Sequence, residues 1–185
     1  MPTTPVPDLL APNTTLQKVL ELYPGAQRAL FKRYHIGGCS SCAFHPTETL
    51  EELCRRNNNL EVGEMIEHLK TSHEQDDQMQ IAPREVGERM KRGESVKLLD
   101  IRTREEWDGV HIAEATRMSQ ETMQEILGRW PREELLVIYD HQGARSPDAA
   151  AYFQGHGFKN VRCLRGGIDA WSQEVDAALP RYRLE

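Results

Sequence analysis

The spacing of hydrophobic positions changes along this chain near residue 80. Before that point, apolar residues recur every three or four positions, as at Leu16, Val19 and Tyr23, which is the spacing of one face of a helix. After it, short continuous apolar runs such as residues 135–138 alternate with helical patterns, and such runs are typical of strands buried on both faces. The pattern predicts a small all-α N-terminal domain followed by an α/β domain with a parallel sheet and helices on both faces.

The N-terminal region is predicted to contain several short helices. Pro24 and Gly25 separate the first two, and Thr49 with Glu52 forms a capping box at the start of a third. A fourth helical pattern follows at about residues 61–69. Because helices this short bury only a small core, we expect the region to dock on another surface or to form a homodimer.

Proline content and polarity suggest the domain boundaries. Residues 1–13 are rich in proline and are interpreted as a flexible tail, and residues 14–71 form the predicted helical domain. The polar residues 72–80 are interpreted as a linker. Residues 81–185 form the predicted α/β domain.

Charge and hydropathy limit the classes of partner. The net charge of −6 gives no electrostatic reason to expect nucleic acid as a partner. No apolar run is long enough to span a bilayer, and the first residues lack the pattern of a secretory signal, so we expect a cytoplasmic protein without a membrane partner. In that compartment, the four cysteines are expected to be thiols, metal ligands or a redox pair.

Residues 135–146 combine a strand, a tight loop and a helix start. Gly143 permits a turn with positive φ, and Ser146 is a suitable N-cap for a helix that begins at Pro147. Such loops present backbone N–H groups that favour negative charge, to which Arg145 adds. Since ligands of parallel sheets lie beyond the carboxyl ends of the strands, we expect the functional site here.

Asp140-x-x-Gly143-x-Arg145-Ser146 resembles the active-site loop of the rhodanese family, whose first position is normally a cysteine that carries sulfur as a persulfide. Further motifs resemble that family in order along roughly residues 80–185: Leu98-Leu99-Asp100-Ile101-Arg102, Glu106-Trp107, His111-Ile112, Gly157-Phe158-Lys159-Asn160-Val161 and Leu164-Arg165-Gly166-Gly167. The resemblance implies a rhodanese-like fold with an active-site loop made of Asp140, His141, Gln142, Gly143, Ala144 and Arg145. It also implies that Asp100 and Arg102 support this loop, while His141 is expected to face solvent.

Asp140 stands at the position that the resemblance assigns to the sulfur carrier. A carboxylate forms no stable persulfide, and sulfur transfer requires a thiolate. We therefore expect a binding or regulatory module, not an ordinary thiosulfate sulfurtransferase. Three interpretations of Asp140 stay open: it holds the loop closed together with Arg145, it binds a cationic or polar partner, or it takes part in catalysis directly.

Cys39 and Cys42 are the cysteines best placed for chemistry. Their two-residue spacing lets both sulfurs reach one metal ion or form a reducible disulfide, and His45 adds a third candidate ligand. Zinc and an iron–sulfur centre are the candidate cofactors. Cys54 and Cys163 lie in apolar patterns and are expected in the core.

Residues 14–70 also resemble a small helical domain of unknown function found near hybrid-cluster proteins, and are similar to the N-terminal segment of iron–sulfur repair proteins. The residues that carry this resemblance are the run Leu16–Leu22, Tyr23-Pro24, Phe31, Tyr34, Gly37, Cys39, Cys42 and Thr49-Leu50-Glu51-Glu52. It implies a redox or iron–sulfur context. Two alternatives to the binding module follow: a sulfurtransferase with Cys39 or Cys42 as persulfide carrier, and a metal-binding module. The partner is an unidentified protein or sulfur donor in either case.

Overall fold

The computed structural model describes residues 10–37 and 45–182. The chain divides into two compact units, Met1–Gln78 and Met79–Glu185. In its described part, the first unit contains the predicted helices α1 (Leu16–Leu22), α2 (Ala26–Tyr34), α3 (Leu50–Arg56) and α4 (Val62–Gln78).

The helices of the first unit begin where the sequence provides caps. The Thr15 side chain accepts a hydrogen bond from the Lys18 amide, and the predicted capping box of Thr49 and Glu52 is confirmed at the start of α3. These helices share a core that includes Leu16, Leu30, Leu50, Leu53, Met65 and Leu69. Leu10 also belongs to this core, so the order of the chain extends into the predicted tail.

Residues 72–78 are helical, which differs from the predicted linker. The expectation rested on polarity, but polar residues without Gly or Pro can continue a helix where tertiary contacts hold it. His73 packs edge-on against Tyr23 at 4.6 Å between ring centroids, and Asp76 forms a 2.5 Å ion pair with Arg28. These contacts lie within the first unit, and the hydropathy pattern could not predict them because they join residues distant in sequence.

The second unit is built on a parallel sheet with the strand order β1-β5-β4-β2-β3. The strands described in it are β1 (Gln80–Ile81), β2 (Val96–Asp100), β3 (Ala115–Arg117), β4 (Leu135–Tyr139) and β5 (Val161–Leu164). The helices described in it are α5 (Pro83–Lys91), α6 (Arg104–Gly109), α7 (Gln120–Arg129), α8 (Ser146–Gly155) and α9 (Gly167–Glu174). This arrangement confirms the predicted α/β fold, while the two-residue strand β1 carries too little pattern to be found from sequence.

Central strand β4 is buried along its whole length. Its alternate residues enter different cores: Val137 and Tyr139 pack with α5 and α9, whereas Leu136 and Ile138 pack with α7 and α8. Each such side chain contributes about 1.5–3 kcal/mol by leaving water. Because these strands are parallel, their carboxyl ends meet at one edge of the sheet, where the loop after β4 lies.

Among the described residues, no helix combines the length and apolar character needed to cross a membrane.

Candidate functional site

The loop after β4 closes on the side chain of Asp140. One carboxylate oxygen accepts a hydrogen bond from the Gly143 amide. The other accepts from the Arg145 amide and, at 3.1 Å, from the Ser146 amide. Asp140 is only 2% exposed. The nest of N–H groups predicted from the sequence is therefore present, and a carboxylate of the chain itself fills it.

Ser146 does not cap α8, contrary to the sequence prediction. It is the first residue of the helix, and its buried Oγ has no hydrogen-bond partner among the described residues. Asp140 takes over the role of the cap, because its carboxylate reaches the amides of Arg145 and Ser146 from the preceding strand. Negative charge at this position is favourable, since the helix N-terminus carries partial positive charge.

The Arg145 side chain lies apart from the Asp140 carboxylate that its own amide binds. Its Nη2 atom donates to the Ile101 carbonyl at 3.3 Å, and the side chain is exposed. Gln142 and Ala144 are exposed as well. The loop thus presents these three side chains outward while its amides point inward.

Glycines allow the loop after β4 to contact the start of α9. Gly143 and Gly167 have φ angles of +87° and +59°. A Cβ atom at position 167 would lie 2.4 Å from the Asp140 carbonyl oxygen, so only glycine fits there. The close approach lets the Ile168 amide donate to the Asp140 carbonyl at 3.0 Å and the Asp169 amide to the His141 carbonyl at 3.1 Å. The start of α9, which is distant in sequence, thus helps to hold the loop in place.

Asp100 and Arg102, which the family resemblance assigns to the support of the loop, form a buried ion pair at the end of β2. The Arg102 Nη2 atom lies 2.5 Å from the Asp100 carboxylate, and both side chains are buried. Burial opposes the charge on Arg102, but the hydrogen bonds and charge of Asp100 raise its pKa. Arg102 also donates to the Val110 carbonyl at 2.7 Å and to the Tyr182 hydroxyl at 2.8 Å.

The expectation that His141 faces solvent is wrong. Its side chain stacks on the Tyr182 ring at 4.4 Å between centroids, and its Nε2 atom lies 3.1 Å from the Tyr182 carbonyl oxygen. The Tyr182 hydroxyl donates to Glu106 at 2.7 Å. Burial, with Glu106 adding to it, raises the pKa of Tyr182 to about 12. Sequence reasoning missed Tyr182, because residues 176–182 follow the last helix without any periodic pattern.

Cys39 and Cys42 lie outside the described residues. His45, the third candidate ligand, is exposed and its Nδ1 atom lies 2.8 Å from the Thr47 hydroxyl. Within residues 10–37 and 45–182, no three His, Cys, Asp or Glu side chains are grouped closely enough to hold a metal ion. Cys54 and Cys163 are buried as expected, and burial raises the pKa of the Cys54 thiol.

The described part of the second unit is an α/β domain built on a five-stranded parallel sheet. Its candidate site is the loop beyond the central strand, whose amides bind the Asp140 carboxylate at the carboxyl edge of the sheet. Residues 82–174 match the family profile of the rhodanese-like domain. The chain belongs to the rhodanese-like domain family.

Curated relatives carry sulfurtransferase names. A sulfurtransferase of Allochromatium vinosum is 35% identical over 88 residues, which are 48% of this chain and 82% of that protein. The thiosulfate sulfurtransferase GlpE of Shewanella oneidensis is 31% identical over 84 residues, 45% of this chain and 83% of that protein.

Other relatives are longer proteins. The probable adenylyltransferase/sulfurtransferase MoeZ of Mycobacterium tuberculosis is 33% identical over 104 residues, 55% of this chain. The match covers only 26% of that protein. Among solved structures, a rhodanese-like domain protein from Staphylococcus aureus is 24% identical, with 56% of this chain and 98% of that chain covered and a TM-score of 0.46.

Proposed function

We propose that this protein is a rhodanese-like module that carries no sulfur on its central loop and acts in binding or regulation. The observation that supports the proposal is the contact of both Asp140 carboxylate oxygens with the amides of Gly143, Arg145 and Ser146. In the family resemblance, Asp140 stands at the cysteine position. A carboxylate offers no thiolate for sulfur transfer, and it fills the space in which an anionic donor such as thiosulfate would bind.

The test is an assay of sulfur transfer from thiosulfate to cyanide with the intact chain. Wild-type protein should show no transfer that depends on the loop. Asp140→Cys should gain transfer if the remaining pocket suits the chemistry, while Asp108→Cys, which places a thiol on exposed α6, is the matched control. The proposal fails if wild-type protein transfers sulfur and Asp140→Ala loses this activity while it remains folded.

A sulfurtransferase that uses Cys39 or Cys42 is the second candidate function. The two-residue spacing of these thiols and the sulfurtransferase names of the relatives favour it. It requires a persulfide adduct on the chain that is lost in Cys39→Ser or Cys42→Ser but kept in Cys54→Ala, a change at a buried thiol.

The intact mass of protein prepared without oxygen separates the remaining alternatives. A sulfur adduct that survives denaturation and is removed by reductant indicates a persulfide carrier. Extra mass that is present only under native conditions indicates zinc or an iron–sulfur centre held by Cys39, Cys42 and His45. A loss of two hydrogens on mild oxidation indicates a redox pair of Cys39 and Cys42.

A further inference from the structure

Residues 180–182 contact a surface beside the Asp140 loop, here called the groove, which is formed by Arg102, Glu106, His141 and Asp169. The Tyr182 ring stacks on His141 with an interplanar angle of 20°. The Tyr182 carbonyl oxygen lies 3.1 Å from His141 Nε2, within hydrogen-bond distance. His141 therefore contacts both the aromatic side chain and the backbone of Tyr182.

The groove also binds the polar side-chain groups of Tyr182 and Arg181. The Tyr182 hydroxyl accepts a hydrogen bond from Arg102 at 2.8 Å and donates one to Glu106 at 2.7 Å. The Arg181 guanidinium makes two bonds to the Asp169 carboxylate, at 2.7 and 3.0 Å. A fork of this kind is specific for arginine. The hydrogen bond from Arg181 lowers the pKa of Asp169, as expected for a fixed charge pair.

Two acidic side chains bind the segment: Asp169 pairs with Arg181, and Glu106 accepts from the Tyr182 hydroxyl. Glu105 and Glu106 line a cavity of about 380 Å³ that also contacts Gly109, Val110 and residues 180–182. This volume lies in the range of small-ligand sites. The cavity lies between residues 180–182 and α6, so it has room for an additional side chain next to a segment bound in the groove.

We infer that this groove is a peptide-binding site for an arginine followed by an aromatic residue, and that Arg181 and Tyr182 occupy it in cis. Its occupant in trans is a basic–aromatic segment of a partner protein. The inference rests on the proposed binding function and names the chemistry of the partner. Recognition combines the charge of Asp169, the face of His141 and the hydroxyl partners Arg102 and Glu106.

Exchange between the two occupants requires residues 180–182 to leave their contacts, which include packing of Tyr182 against the core of the second unit. Residues 180–182 belong to no helix or strand, and the Arg181 side chain is 55% exposed. Such segments open locally at lower free energy than the core. A tethered segment acts at an effective concentration on the order of millimolar, so a free peptide competes poorly until the cis segment is weakened.

The test measures binding of a fluorescein-labelled peptide, Leu-Pro-Arg-Tyr-Arg, by anisotropy. The protein variant Arg181→Ala/Tyr182→Ala, which lacks the cis ligand, should bind this peptide at least about tenfold more tightly than wild-type protein. The peptides Leu-Pro-Glu-Tyr-Arg and Leu-Pro-Arg-Ala-Arg should bind at least about tenfold more weakly.

A second pair of variants locates the site. Asp169→Asn in the double-variant background should weaken the peptide about fivefold or more, whereas Asp108→Asn, at an exposed acidic residue of α6, should not. Should the double variant fail to fold, the single variant Arg181→Ala removes only the exposed ion pair and should show the same order of peptide preference.

The inference is overturned if folded variants bind none of the peptides at millimolar concentration, or bind all three equally. It is also overturned if Asp108→Asn and Asp169→Asn have the same effect. Neither result bears on Asp140, whose role is decided separately by the sulfur-transfer assay.

Discussion

Asp140 acts on its loop as a bound anion would. Its carboxylate accepts hydrogen bonds from amides of the loop and of the first turn of α8, and it is almost fully buried. Hydrogen bonds to a charged group contribute about 1.5–3 kcal/mol each, and amides left without a partner cost free energy. The conformation of the loop is therefore expected to depend on this one side chain.

Asp140→Ala should lower the free energy of unfolding by about 2–4 kcal/mol, because it leaves several buried N–H groups without an acceptor. Added formate should then restore part of the stability, since a ligand that binds only the folded state stabilises it. Urea unfolding with and without formate measures both effects. Asp108→Ala is the control, with an expected change within about 0.5 kcal/mol. Equal stabilisation of wild-type protein by formate would contradict the expectation.

Gly167→Ala should destabilise the protein by at least about 2 kcal/mol. The left-handed φ of +59° disfavours a side chain, and the new Cβ would lie 2.4 Å from the Asp140 carbonyl oxygen. Gly128→Ala in α7 meets open space and should instead stabilise by about 0.5–1 kcal/mol. Thermal unfolding distinguishes the two signs, and a neutral Gly167→Ala would show that the loop and α9 can separate at little cost.

Helix α6 links its own cap to the groove through Glu106. One Glu106 oxygen accepts from the Thr103 amide at 3.1 Å and completes the capping box, while the other accepts from the Tyr182 hydroxyl at 2.7 Å. Burial opposes the charge, yet hydrogen bonds from Tyr182 and Thr103 lower the pKa of Glu106. The N-terminus of one helix thus fixes a side chain that binds another segment.

The hydrogen bond between Tyr182 and Glu106 makes the free energy of unfolding depend on pH in two ranges, one alkaline and one acid. Because the pKa of Tyr182 is raised from 10.0 to about 12, its contribution is complete below pH 10 and is lost as the pH rises towards 12. Since the pKa of Glu106 is lowered from 4.5, its contribution is complete above pH 4.5 and is lost as the pH falls further.

Tyr182→Phe should flatten the alkaline decline in stability, and Glu106→Gln should flatten the acid decline. Chemical unfolding across the pH range measures both slopes. The difference in tyrosinate absorbance between wild-type protein and Tyr182→Phe should titrate with a midpoint near 12. A midpoint near 10 would show that Tyr182 is not held in the groove.

The ion pair between β2 and the following turn should be costly to break. Asp100→Asn leaves the Arg102 guanidinium buried without a counter-charge, and removal of one partner of a buried pair costs about 3–5 kcal/mol. Arg104→Gln, which breaks an exposed pair with Asp108, should cost less than about 1 kcal/mol. Urea midpoints of the two variants give the comparison, and similar midpoints would contradict a supporting role for Asp100.

Sequence pattern predicts an element well where burial is regular along it. The continuous apolar run of β4 and the helix spacings of α1 and α2 are of this kind, and the structure confirms them. The extension of α4 to Gln78 was missed, because contacts of His73 and Asp76 with distant residues hold it. The cap of α8 was misassigned for a similar reason, since Asp140 reaches it from six residues earlier in the chain.

At the scale of the whole molecule, the change of hydrophobic period near residue 80 agrees with the division into units at Gln78 and Met79. The position of the Asp140 loop at the carboxyl edge of the sheet followed from the motif after β4 and from the rule for parallel sheets. The groove around Tyr182 could not be predicted, because it joins α6, the loop and α9 with a segment that has no pattern of its own. Such a site exists only in the tertiary structure.

The carboxylate in the loop has a consequence for the conditions in which the module works. A thiolate at this position would react with peroxides and electrophiles and would pass through sulfenic to irreversible sulfinic states. Asp140 undergoes none of these reactions, so the loop and the groove beside it keep one shape whatever the redox state of the surroundings. Any response of the whole protein to oxidants must then arise at other side chains, such as its cysteines and methionines, while the Asp140 loop stays chemically unchanged.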